Sequence, residues 1–208
     1  MAKWRSLTGL ITGITLFAWV LALILGQSGS VDLWAGFIPA RMSGSYHLLH
    51  AVPAWLTPLS ATLVHSGLMH VAFNMVMLIF CGRQVEAVLG WRMLALLYVL
   101  GAYAAAGAQF LADVTSQAPM VGASGAISAV LGVYALLFSR QVVPKIGPIP
   151  SHVVRALWLG AAWIGFQYAS GLMMAGNGYN IAIAAHIGGF IAGLIVARPM
   201  LAWVYRKA

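Results

Sequence analysis

The sequence predicts an all-α, multi-pass membrane protein, and three observations carry that expectation. The 208 residues are 62% hydrophobic and only 7% charged, whereas a soluble domain carries about 25% charged residues. A chain so poor in charge cannot coat a globule. Six apolar stretches are long enough to cross a hydrocarbon core, which takes about 20 residues. The basic residues fall between those stretches or toward their ends in an alternating pattern. The gaps are short and free of Ser/Pro/Gly-rich linkers, so residues 1–208 read as one domain.

The first stretch, Leu7 to Gly26, follows Lys3 and Arg5. A basic start before an apolar core also describes a signal peptide. No Ala-x-Ala cleavage pattern follows, and the length suits a span. The loop at 27–62 holds Trp34, Phe37, Tyr46, Pro53, Trp55 and Pro58, with Asp32 and Arg41 as its only acid and base. Aromatic residues suit a membrane interface. The loop therefore reads as lying on or dipping into the outer leaflet, and an ordinary extracellular loop fits its composition as well. The other spans read as Leu63 to Cys81, Met93 to Leu111, Val121 to Phe138, Val153 to Met174, and Ile181 to Val204.

Charge orients the spans. Lys3, Arg5, Arg83, Arg92, Arg140, Lys145, Arg155, Arg198, Arg206 and Lys207 fall at the two ends and at the second and fourth loops. Arg41 alone falls in the first loop, and the third and fifth loops have no Lys or Arg. Six spans thus place ten of the eleven basic residues on one side. The positive-inside rule makes that side cytoplasmic, with both termini inside. The net charge of +8 is scattered in ones and twos, so it sets orientation and does not mark a nucleic-acid partner. The single Cys81 excludes an internal disulfide.

Polar residues in spans are costly and are functional candidates by default. Ser124 lies near the start of the fourth span and His186 near the start of the sixth, and both spans begin outside. The second span descends from the same side and carries His70 and Asn74. A Ser-His pair is the minimal apparatus of acyl transfer. His70 and Asn74 are four residues apart, hence on one helical face. Both can donate hydrogen bonds to an oxyanion, or they can bridge helices as polar glue. Gly125, Ala129 and Gly132 on the fourth span, and Ala185, Gly189 and Gly193 on the sixth, are small enough for close backbone approach. Taken alone, Gly122-Ala123-Ser124-Gly125 reads more often as packing than as a nucleophile motif, and it gains weight only beside a histidine on a similarly small-faced helix.

Scarce acids exclude other chemistries. The acidic residues are Asp32, Glu86 and Asp113. His47, His50 and His65 form no His-Glu-x-x-His, and Glu86 and His152 fall at the cytoplasmic end, so no metal site or cofactor is expected. An aspartyl mechanism needs two facing carboxylates, and neither Asp32 nor Asp113 falls in a span. A Ser-His-Asp triad fails on the same count, which leaves a Ser-His dyad.

Residues 55–197 resemble the rhomboid family of intramembrane serine proteases. The resemblance is carried by His65 ahead of His70-x-x-x-Asn74, by Gly82 followed by Glu86 and Gly90, by Gly122-Ala123-Ser124-Gly125, and by Ala185-His186-Ile187-Gly188-Gly189. It implies a six-transmembrane-helix bundle with a water-filled cavity open to the outside. It implies Ser124 as nucleophile, His186 as general base and acid, and an oxyanion hole of His70, Asn74 and the Ser124 backbone N–H. It also implies single-span or other transmembrane protein substrates cut near the outer face, and residence in the lipid bilayer of a bacterial inner membrane. Two positions depart from the family. Many bacterial relatives carry a tyrosine four residues after the serine, stacked on the histidine, where this chain has Ser128; Tyr168 and Phe190 are candidates for that stacking role. Trp55-Leu56 stands where many relatives have Trp-Arg. An inactive relative would lack the serine or the histidine, and a small transporter would show repeats and midplane charges; neither pattern occurs in this sequence.

Overall fold

The computed structural model describes residues 6–138, 143–175 and 182–206. Over those residues the chain is helical, with only isolated bridges at Phe37–Met120 and Ile146–Ile149. The first helix, α1 (Leu7–Ile24), starts at Ser6, whose hydroxyl accepts from Gly9 N at 3.1 Å. Glu86 completes this cap from across the fold. Its carboxylate accepts from Leu7 N at 2.7 Å, from Thr8 N at 3.0 Å and from Thr8 Oγ1 at 2.6 Å. An anion is stabilised by the orphan amides and positive dipole end of a helix N-terminus.

The buried stripe of α1 is its polar one. Thr8, Thr12 and Thr15 face inward, while Phe17 is 69% exposed and Ile24 is 76% exposed. An aqueous globule sorts these residues the other way, so the solvent around α1 is lipid.

The first loop is folded. It comprises α2 (Ser28–Ala35), α3 (Pro39–Met42) and α4 (Thr57–Ser60), with single 3₁₀ turns at Ala54–Leu56 and Ala61–Leu63. Phe37 and Met120 exchange backbone hydrogen bonds of 2.9 and 2.7 Å, and Ala40 N donates to Ser116 O at 3.0 Å. Arg41 donates to Val52 O at 2.7 Å, and Tyr103 donates to Trp55 O at 3.0 Å. The loop is thereby pinned to the segment that leads into Ser124. Trp34 and Trp55 remain exposed, as interface-seeking aromatics do.

Next come α5 (Leu68–Met77) and α6 (Arg83–Leu89), joined through a π-type turn at Leu78–Gly82. The last four helices are α7 (Trp91–Ala112), α8 (Ser124–Phe138), α9 (Ser151–Ala175) and α10 (Ile183–Val204). Among the described residues, four helices are long and apolar enough to cross a membrane: α1, the continuous Leu68–Leu89, α7 and α10. The sequence reading counted six. The fourth of those stretches begins as non-helical chain and becomes helix only at Ser124, which leaves 15 helical residues in α8. The fifth, α9, has 25 residues but takes in His152 and Arg155 and is less apolar. The second runs eight residues past Cys81, because Glu86 faces the α1 cap and not a water-filled loop.

The centre of the bundle is α7, α8 and α10, packed through small residues. A Cβ on Gly189 or Gly193 of α10 would collide with the carbonyl oxygens of Gly125 and Ala129 on α8. A Cβ on Gly132 would lie 2.5 Å from Phe190 O, and one on Gly101 of α7 would lie 2.6 Å from Ala129 Cβ. Small residues without bulky side chains are what let membrane helices approach this closely.

Candidate active site

Gly122 and Ala123 deliver Ser124 to the first turn of α8. Gly122 has φ 110°, in the left-handed region that disfavours a side chain. Space imposes the same choice, since a Cβ there would lie 2.6 Å from His70 Nε2. Gly122 N donates to Ala61 O at 2.9 Å. Ala123 N donates to His65 Nε2 at 3.3 Å. His65 is only 4% exposed, and that bond holds the turn from within the fold. Ser128 Oγ donates back to Ser124 O at 2.8 Å, which binds the first turn of α8 to itself.

His186 enters from the first turn of α10, where its N–H donates to Ala182 O at 3.2 Å. Its Nε2 lies 2.7 Å from Ser124 Oγ. That length is a short hydrogen bond, and with the proton on the hydroxyl it is the contact a general base needs. Trp163 of α9 donates from Nε1 to His186 O at 3.2 Å and stacks on Phe190 at 5.1 Å between ring centroids. Phe190 is thus engaged by Trp163. The side chain of Tyr168, the other candidate to hold the imidazole, lies outside the described residues.

His70 sits in the first turn of α5. Its Nε2 faces Gly122 and its Nδ1 lies 3.2 Å from Ser66 Oγ. The His65 ring meets it edge-on at 4.9 Å. Asn74 is buried, and its Nδ2 donates to His70 O at 2.8 Å. The opposite amide orientation would set two oxygens against each other, so the network fixes this one. One amide hydrogen is used on the helix backbone, and an amide carries two.

The N-terminal turns of α5, α8 and α10 therefore meet around Ser124. Each brings the positive end of a helix dipole and amides without i−4 carbonyl partners. A narrow cleft opens at the serine, lined by Pro58, Thr62, Met120, Ala182 and Ala185. At the opposite end lie the Glu86 cap and the bonds from Tyr205 to Val88 O and from Arg155 to Leu136 O.

Sequence reasoning named Ser124, His186, His70 and Asn74, but it missed the support given by His65, Ser66 and Trp163. Ser66 had a readable signal, a hydroxyl four residues ahead of His70. Trp163 had none, because its partner is a backbone carbonyl on another helix.

The Rhomboid domain family model matches residues 52–203, which takes in α5 to α9, α10 up to its last residue, and every residue of the site. The chain belongs to the rhomboid family. It is 30% identical to Rhomboid-related protein 2 of Mus musculus over 141 residues, 66% of this chain and 45% of that protein. It is 32% identical to Rhomboid protease GlpG of Serratia proteamaculans over 141 residues, with the same two shares. It is 27% identical to Rhomboid protease GluP of Bacillus subtilis over 197 residues, 94% of this chain and 35% of that protein. The chain spans less than half the length of these curated relatives. Family and apolar helices together make this rhomboid an integral membrane protein.

Proposed function

We propose that this rhomboid is an intramembrane serine protease that cleaves transmembrane segments of other membrane proteins. The observation that carries this reading is the 2.7 Å contact between Ser124 Oγ and His186 Nε2. Ser124 Oγ attacks the scissile carbonyl while His186 Nε2 takes its proton. The tetrahedral oxyanion is met by the Ser124 backbone N–H, His70 Nε2–H and the second Asn74 amide hydrogen. His186 then protonates the leaving amine, and water hydrolyses the acyl-enzyme by the same path. Two named rhomboid proteases among the relatives support the reading. The test is cleavage of a panel of single-span substrates by the purified protein, with a fluorophosphonate probe for Ser124. Intact substrates together with an unlabelled serine would reject it.

The oxyanion roles make a separate expectation. Losing one such donor costs roughly 10²–10³ in turnover. His70→Ala and Asn74→Ala should lower kcat on that scale and leave KM little changed. If both variants keep wild-type kcat, the two side chains only bridge helices.

Charge supports an orientation. We place the protein in the inner membrane of a bacterium with both termini cytoplasmic, the site toward the outer face and the cut near that surface. The lack of Lys and Arg in the loop that leads to Ser124 supports this. On a Cys81→Ser background, Asp113→Cys should react with an impermeant thiol reagent in intact cells. Arg92→Cys and Lys145→Cys should react only after permeabilisation. The reverse pattern would place the site near the cytoplasm.

A further inference from the structure

We infer that Ser66 is a positioning residue for His70: its hydroxyl holds the imidazole in the tautomer that carries the proton on Nε2. The inference rests on the reading of His70 as an oxyanion donor. Ser66 Oγ lies 3.2 Å from His70 Nδ1, across four residues of sequence. Among the described residues this is the only hydrogen bond to the His70 ring. The other nitrogen faces the chemistry. The point that a Gly122 Cβ would occupy lies 2.6 Å from His70 Nε2 and 3.7 Å from Ser124 Oγ.

A neutral imidazole has one N–H, and a hydroxyl can donate or accept. Two arrangements therefore fit the 3.2 Å contact. If Nδ1–H donates to Ser66, Nε2 turns a lone pair toward Ser124, and that lone pair repels a developing oxyanion. If Ser66 donates to Nδ1, the ring proton sits on Nε2 and points at the space beside Ser124. Only the second arrangement lets His70 serve as a neutral donor. The choice of tautomer is set by the bond that the other nitrogen makes, and here that bond is to Ser66. The residue lies just ahead of α5, on the chain that already places His65 and His70, so the three are delivered as one unit.

The test uses the full chain with Ser66→Ala and Ser66→Thr. It reads kcat and KM on a single-span substrate, fluorophosphonate labelling of Ser124, and ¹⁵N resonances of labelled histidine assigned through His70→Ala. Ser66→Ala should lower kcat roughly tenfold, less than the ~10²–10³ for outright loss of a donor, with KM and melting unchanged. Ser66→Thr, which keeps the hydroxyl, should restore kcat. Wild-type His70 should show an unprotonated Nδ1. Unchanged kcat in Ser66→Ala, or a protonated Nδ1 in the wild type, overturns the inference and leaves the Ser124–His186 reading standing. Wild-type turnover in His70→Ala, or cleavage by Ser124→Ala, instead removes the oxyanion or protease reading itself, and this inference with it.

Discussion

Ser124→Ala and His186→Ala are each expected to abolish substrate cleavage while leaving a folded, inserted protein. Removing the serine or the histidine of a soluble serine protease costs on the order of 10⁶ in turnover. Either loss costs nearly as much as losing both, because the two groups act as a unit. Here the unit is the 2.7 Å contact between Oγ and Nε2. An unassisted serine hydroxyl is a weak nucleophile, so His186→Ala should also lose fluorophosphonate labelling of Ser124. Folding should survive, since α8 and α10 are held together by glycine contacts deeper in the bundle. The measurement is initial rate and probe labelling beside a thermal melt. Cleavage that persists in either variant, above a mock-purified control, would discard the dyad.

Gly189→Leu is expected to cost both stability and activity. A Cβ at Gly189 would overlap the Gly125 carbonyl oxygen and lie 3.3 Å from Ser128 Cβ. The obstacle is backbone, which cannot rotate away as a side chain does. Overpacking typically costs about 1–3 kcal/mol, and Leu against a backbone carbonyl belongs at the upper end. Gly189 follows His186 by three residues and faces the turn of α8 that begins at Ser124. Forcing the helices apart there lengthens the Oγ–Nε2 contact. Melting temperature in detergent and cleavage rate should fall together. Gly107→Ala on α7 meets nothing within 4 Å and should leave both near wild type, as the matched control. A Gly189→Leu protein that melts and cleaves like the parent would rule out close α8–α10 packing.

The long helices were the legible part of the fold. α1, α7 and α10 are long and mostly apolar, and lipid leaves a backbone no partner but itself. Boundaries of other helices failed where a polar residue had an internal use. Glu86 looked like the edge of a loop, yet it caps α1 from within a helix that continues to Leu89. The fourth span looked helical from Val121, yet Ser124 opens α8, because Gly122 at φ 110° turns the chain there. Spacing in sequence reports which face a residue occupies. It does not report which rotamer or partner that residue takes.

Charge alternation and apolar length are properties of the chain alone, because a bilayer acts on every segment separately. They determined that the protein is helical, that it lies in a membrane, and that the starts of the Ser124, His186 and His70 helices share one end. Tertiary structure decided the rest, because each remaining choice joins residues far apart in the chain. It set the 2.7 Å approach of Ser124 and His186 across 62 residues through facing glycines. It made His65 the acceptor for Ala123 N. It directed one Asn74 amide hydrogen to His70 O, and it set His70 between Ser66 and Gly122. A side chain's partner is fixed by what packs around it, and that information exists only once the helices have met.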